Sequence, residues 1–188
     1  MERGSDLWKM GRWLYVKIKG KNNTSLLIIT GYRVGKRTGS SGPTTAWSQQ
    51  HMILKATDRS QAPHTAFLTD LAEWLSKDQY TESELVINLD ANEKWSENSE
   101  ITTFARNLGL VNLSRDFHLD HTHPNSTDIS KSTTIDFCLC TEKVMESITY
   151  AGSTPYDLES EGDHRGFIID LNIKTVKRHV RIGSQKDT

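Results

Sequence analysis

Three short stretches of this 188-residue sequence close apolar runs with side chains able to hold a metal ion or move a proton. The first is Leu85-Val86-Ile87-Asn88-Leu89-Asp90-Ala91-Asn92. Asp90 and Asn92 stand two apart, so an extended backbone would point both the same way at a strand's end. The second, Thr134-Ile135-Asp136-Phe137-Cys138-Leu139, sets one carboxylate in an apolar run, where strand preference disfavours it. The third is Gly162-Asp163-His164-Arg165-Gly166, just before Phe167-Ile168-Ile169. Carboxylates supply hard oxygen ligands and bases, histidine exchanges protons near neutral pH, and asparagine donates without charge. Each stretch alone has a plainer reading. Asp and Asn after a strand form turns, an acid in a strand can face water, and an Asp-His pair in a loop is commonly solvated.

Strands and helices must bring these groups to one place. From Arg12 to Lys19 the residues alternate, with Leu14, Val16 and Ile18 on one face and Trp13, Tyr15, Lys17 and Lys19 on the other. That pattern predicts a half-buried strand, its lysines on the outer face of an edge hairpin. Gly20-Lys21-Asn22-Asn23 supplies a turn, and Leu26-Leu27-Ile28-Ile29 a strand buried on both faces. After a loop from Gly35 to Gly42, Pro43 starts a helix reaching about Ala56, with Trp47, Ile53 and Leu54 on its apolar side. A second helix begins near His64 and carries the clearest stripe, Phe67, Leu68, Leu71, Trp74 and Leu75. Ser99 caps a third, with Ile101, Phe104, Ala105 and Leu108, which Gly109 ends. Strands follow at Thr134 to Leu139 and Phe167 to Leu171. A hairpin and short connections among mixed elements predict an α/β layered fold with a mixed sheet. Residues 1–173 form one domain, and 174–188 a basic polar tail.

Bulk properties narrow the class further. A formal net charge of -1 gives no overall field for polyanions, so nucleic-acid binding must come from local patches. The two cysteines, Cys138 and Cys140, would share a strand face, a geometry unsuited to a mutual disulfide. The polar opening Met1 to Asp6 lacks the apolar stretch of a signal peptide, and no apolar run nears the ~20 residues of a membrane span. An intracellular protein with no membrane partner is expected.

Taken together and in order, the motifs resemble the endonuclease/exonuclease/phosphatase superfamily, which includes apurinic endonucleases, DNase I and retrotransposon endonucleases. Leu89-Asp90-Ala91-Asn92 is similar to that family's Gly-Asp-x-Asn strand end, Ile135-Asp136-Phe137 to its Ile-Asp-Tyr strand, and Gly162-Asp163-His164 to its Ser-Asp-His. Upstream, Ile28-Ile29-Thr30-Gly31-Tyr32-Arg33 looks like the family's strand ending in tyrosine. The likeness runs from roughly Gly11 to Ile173, and four ordered motifs are far more specific than one. Gly11-Arg12-Trp13, Gly31-Tyr32-Arg33-Val34, Gly42-Pro43-Thr44-Thr45-Ala46 and Asp90-Ala91-Asn92-Glu93 further resemble endonuclease domains of mobile elements, which accompany reverse transcriptases.

The resemblance implies a DNase I-like α/β sandwich that hydrolyses phosphodiesters with Mg²⁺ or Mn²⁺, on nucleic acid and on DNA before RNA. It implies that Asp90 orients or deprotonates the attacking water, that Asn92 bonds that water or a phosphate oxygen, and that His164 contacts the phosphate. Asp136 would accept from the other ring nitrogen of His164, Tyr32 would reach a phosphate or leaving oxygen, and Asp163 with Asp90 would hold metal. A dianionic pentavalent centre needs such a set: a cation, a base and neutral donors. Leu89 and Gly162 depart from the pattern at peripheral positions. The family's first strands, with an Asn and a metal-binding Glu, have no match before Arg12, and Glu2 stands too near the first strand to be one. The expectation is therefore a domain without its first strands, weak or inactive alone. The alternatives are a catalytically dead remnant that binds nucleic acid, or a phosphatase or phospholipid phosphodiesterase of the same fold. His118-Leu119-Asp120-His121-Thr122-His123 has the look of a metal cluster but reads better as a solvated loop, lacking ligands from another element.

Overall fold

The computed structural model describes residues 1–20, 24–36, 42–113, 134–153, 164 and 166–172. Along the chain come β1 (Glu2–Ser5), β2 (Trp13–Lys19), β3 (Ser25–Tyr32), α1 (Ala46–Ala56), α2 (Pro63–Leu75), α3 (Asp78–Thr81) and β4 (Ser83–Asp90). Then follow α4 (Glu100–Asn107), β5 (Leu110–Asn112), β6 (Asp136–Thr141), α5 (Glu142–Ser147), β7 (Ile148–Ser153) and β8 (Phe167–Leu171). A six-stranded sheet runs β1-β2-β3-β4-β6-β5, and β7 pairs with β8 in a second sheet. Only the β3–β4 pairing is parallel, which makes the large sheet mixed as expected.

Two apolar layers hold the sheet. On one face, α2 and α4 bury Phe67, Leu71, Trp74, Ile101 and Phe104 against Trp13, Leu27, Ile29, Ile87, Leu89 and Leu139. Each large apolar side chain so buried contributes about 1.5–3 kcal/mol. Pro63 at the first turn of α2 has its φ preset for a helix. Ser99 accepts from the Thr102 N–H at 3.2 Å and caps α4. Gly109, at φ 63°, lets the chain leave α4 into β5. On the other face, Val86, Cys138, Cys140 and Val144 pack with Leu26, Ile28, Phe167, Ile169 and Leu171, so β7, β8 and α5 form the outer layer. Cys138 and Cys140 are both buried there and are not joined in a disulfide.

Several expectations need correction. In β2 the buried face is that of Trp13 and Lys17, while Leu14 is 59% exposed and Ile18 44%. Aromatic area decides this. Trp13 lies edge-on to Phe67 with centroids 5.5 Å apart, Tyr15 packs on Trp74 at 4.7 Å, and Lys17 lays its Nζ over the Tyr80 ring at 5.3 Å. Nor is β2 an edge, because β1 pairs along it. Helix α1 begins after its cap Thr45 rather than at Pro43, and it buries Gln50 and Leu54 while Ile53 stays exposed. Elements β1, α3, β5, α5 and β7, each six residues or shorter, are not among the expected elements. The tail 174–188 and the segment His118 to His123 lie outside the described residues. Among the described residues, no helix is long and apolar enough to cross a membrane.

Candidate active site

Strand register puts three of the candidate residues in one row. Tyr32 at the end of β3 is the partner of Asp90 at the end of β4, and Asp90 is the partner of Asp136 at the start of β6. Because β3 and β4 run parallel and β6 antiparallel, two C-terminal ends and one N-terminal end meet at the same sheet edge. Gly31 allows the close packing beneath the row, where a Cβ would stand 3.1 Å from Phe67 and 3.3 Å from the Arg12 carbonyl.

His164 comes to this row from the segment before β8. Its Nδ1 lies 2.8 Å from Asp136 Oδ2, and its Nε2 lies 3.9 Å from Asp90 Oδ2. The first distance is a hydrogen bond; the second leaves room for one oxygen bonded to both groups at about 2.8 Å each. Asp90, Asp136 and His164 offer ligand atoms within 4.8 Å of one another, a set that could hold a metal ion. Two carboxylates and an imidazole suit a divalent cation.

Asn92 reaches the site by a route that the expectation did not include. It lies beyond β4 in the left-handed region, at φ 48°, rather than on an extended backbone. Its N–H donates to Asp90 Oδ1 at 3.0 Å, and its Nδ2 donates to the Arg33 carbonyl at 2.8 Å. An Asx-type turn therefore brings the pair together, with Asp90 Oδ2 directed at His164. Tyr32, 45% exposed, has its phenol pKa raised by burial and by the charge of Asp90, against a hydrogen bond with Asn92. It is thus an O–H donor at neutral pH. Asp163 lies outside the described residues.

Buried ion pairs that no motif in the sequence marks hold this edge from below. The Arg33 guanidinium, 1% exposed, pairs with Glu93 at 3.0 Å and with Glu100, and Lys36 lies 3.3 Å from Glu93. Glu93 also accepts from the Ile101 N–H at the start of α4. Burial opposes the charge of Glu93, but Arg33, that N–H and Lys36 outweigh it and hold its pKa below 4.5. Burial pushes His64 below 6.5, and the positive charges of Arg33 and Lys36 act in the same direction, against Glu100 and Glu93. A folded-state value below the unfolded one means the native state binds fewer protons, so the stability is present above the unfolded value and lost as pH falls. Melting temperature should drop on acidification in two stages, below 6.5 for His64 and below 4.5 for Glu93, and His64→Gln should remove the upper stage. A flat melting profile between about pH 7 and 5 would show that His64 is freely solvated.

No family model matches the chain, and no curated protein does. Among solved structures, the endonuclease domain of TRAS1, a telomere-specific non-LTR retrotransposon, is 15% identical over 87% of this chain and 64% of that one, at a TM-score of 0.49. The 3′ phosphatase NExo from Neisseria, bound to a product DNA hairpin, is 13% identical over 86% of this chain and 65% of that one, at a TM-score of 0.52. The human Nocturnin catalytic domain with bound sulfate is 13% identical over 84% of this chain and 52% of that one, at a TM-score of 0.42. This chain therefore spans less than two thirds of each. Such identities speak for fold and not for activity. With its mixed sheet, outer helices and polar row at one sheet edge, the chain has a DNase I-like α/β fold, as the 3′ phosphatase NExo does.

Proposed function

We propose that this chain is a divalent-metal-dependent phosphodiester hydrolase that cuts nucleic acid internally, DNA in preference to RNA. The observation that carries the reading is His164 held by Asp136 at 2.8 Å while its other nitrogen faces Asp90 across 3.9 Å. An acid-fixed imidazole opposite a carboxylate can orient a water and take its proton for attack on a phosphodiester. The product DNA hairpin bound to NExo supports DNA as the substrate class.

In this reading Asp136 accepts the Nδ1 proton and leaves the Nε2 lone pair toward the site. Asp90 Oδ2 and the His164 Nε2 lone pair both accept, so they orient the attacking water between them, which donates to each. Asn92 has its N–H on Asp90 and so fixes which carboxylate oxygen faces that space. The protonated Tyr32 phenol donates to the phosphate or to the leaving oxygen. Mg²⁺ or Mn²⁺, held by Asp90 and by Asp163, would supply charge neutralisation at the phosphate.

Nicking of supercoiled plasmid and cleavage of an abasic-site duplex, each with Mg²⁺ and with Mn²⁺, test this reading. Asp90→Ala and His164→Ala should each lower the rate by about 100-fold or more. Cutting that neither substitution changes would sink the assignment of the site. Cleavage of small phosphate esters or phospholipid in place of DNA would sink the substrate class.

A further inference from the structure

The turn that carries Asn92 is clamped by a residue with no part in that chemistry. Arg33 follows Tyr32, so its side chain leaves on the opposite side, into the helix layer. Its Nε donates to the His64 carbonyl at 2.9 Å. Its Nη1 donates to the Ala91 carbonyl at 3.2 Å and to Glu93 Oε2 at 3.0 Å, and its Nη2 donates to Glu100. Its backbone takes part as well. The Arg33 N–H donates to the Asp90 carbonyl at 2.9 Å, and its own carbonyl accepts from Asn92 Nδ2 at 2.8 Å.

One residue thus grips Asp90, Ala91, Asn92 and Glu93 and ties them to the starts of α2 and α4. An exposed ion pair would contribute little, but this fork is 1% exposed and each of its three nitrogens has an acceptor. Asn92 sits at φ 48°, in the left-handed region that asparagine enters more readily than most side chains, and the clamp fixes the turn in that form.

We propose that Arg33 is a positioning residue of the site, fixing through the Ala91–Glu93 turn the direction in which Asn92 and the Asp90 carboxylate face His164. The role rests on the hydrolase reading, but the clamp itself can be measured without activity. Arg33→Lys keeps the charge and loses the planar fork. In the ¹⁵N-labelled 188-residue chain, this variant should still melt cooperatively. The backbone amide of Asn92 and its side-chain NH₂ pair should shift strongly, while amides of β1 and α5 stay in place. With plasmid, kcat should fall about 10- to 100-fold with KM changed less than about twofold. Asn92→Ala should cost less in the Arg33→Lys background than alone, since the two act through one element.

Asn92 signals that stay in place in Arg33→Lys, or losses that simply multiply, overturn the proposal. Should Arg33→Lys fail to fold, Glu93→Gln weakens one acceptor and leaves the arginine. It should produce the same Asn92 shifts, and their absence overturns the proposal equally. If the unaltered chain cuts no nucleic acid, the hydrolase reading fails, and the Asn92 signals alone decide whether Arg33 holds the turn.

Discussion

Asn in place of Asp136 should slow phosphodiester cleavage by about 100- to 10,000-fold while leaving the fold intact. The side chain is isosteric and 93% of the residue is out of solvent, so packing changes little. What changes is the proton. The Asp136 carboxylate can only accept, so at 2.8 Å it requires hydrogen on His164 Nδ1, and in the neutral ring Nε2 is then the acceptor facing Asp90. An Asn amide can turn its NH₂ toward Nδ1, which moves the ring hydrogen to Nε2 and removes the acceptor from the site. Ring ¹⁵N shifts of His164 read this directly and need no activity. They should indicate hydrogen on Nδ1 in the unaltered chain and on Nε2 in Asp136→Asn. His164→Ala added to Asp136→Asn should then lower the rate little further, because residues that act as a unit are far from additive. A ring that keeps its tautomer in Asp136→Asn would sink this account of the acid.

The residues brought together in this row were legible because strand ends show in sequence. Largely apolar runs, stopped by Asp90 in one case and carrying Asp136 in the other, give both the strand and the place where it meets solvent. The register that sets Tyr32 beside Asp90 and Asp90 beside Asp136 was not legible, because pairing is settled by partners distant in sequence. The buried face of β2 is hidden in the sequence for a related reason. Alternation shows two faces but not which layer covers each, and here Trp13 and Tyr15 found the aromatic face of α2. Arg33 was missed because arginine is seldom buried, and its acceptors Glu93 and Glu100 stand about 60 residues away in the chain. The signal was present as an arginine between Tyr32 and Val34, one residue past the end of β3.

A second buried charge cluster should prove as large in stability as the acid is in rate. Asp6, 2% exposed, accepts from the N–H groups of Trp8, Met10 and Arg12 at 3.1, 3.2 and 3.0 Å and so shapes the turn between β1 and β2. Arg12, 1% exposed, reaches from that turn to Asp70 on α2 at 2.7 Å, and Asp70 also receives Arg59. The cluster therefore fastens the β1–β2 hairpin to the helix layer. Asp70→Ala leaves the Arg12 guanidinium buried with Asp6 at 3.4 Å as its remaining ion pair. Breaking a buried pair from one side costs about 3–5 kcal/mol, because the surviving charge stays out of water. For a chain of this length that lowers the melting temperature by about 10 °C. Removing both charges is the discriminating comparison. Arg12→Met with Asp70→Leu deletes the buried pair, leaves Asp6 its three N–H donors, and lets the partly exposed Arg59 turn to water. The double variant should recover most of the loss, since apolar replacements of similar volume avoid the desolvation of both ions. Thermal melts of Arg12→Met, of Asp70→Leu and of the double variant form the cycle. If Asp70→Ala melts within about 2 °C of the unaltered chain, the pair is behaving as a solvated surface bridge and the fastening role is wrong.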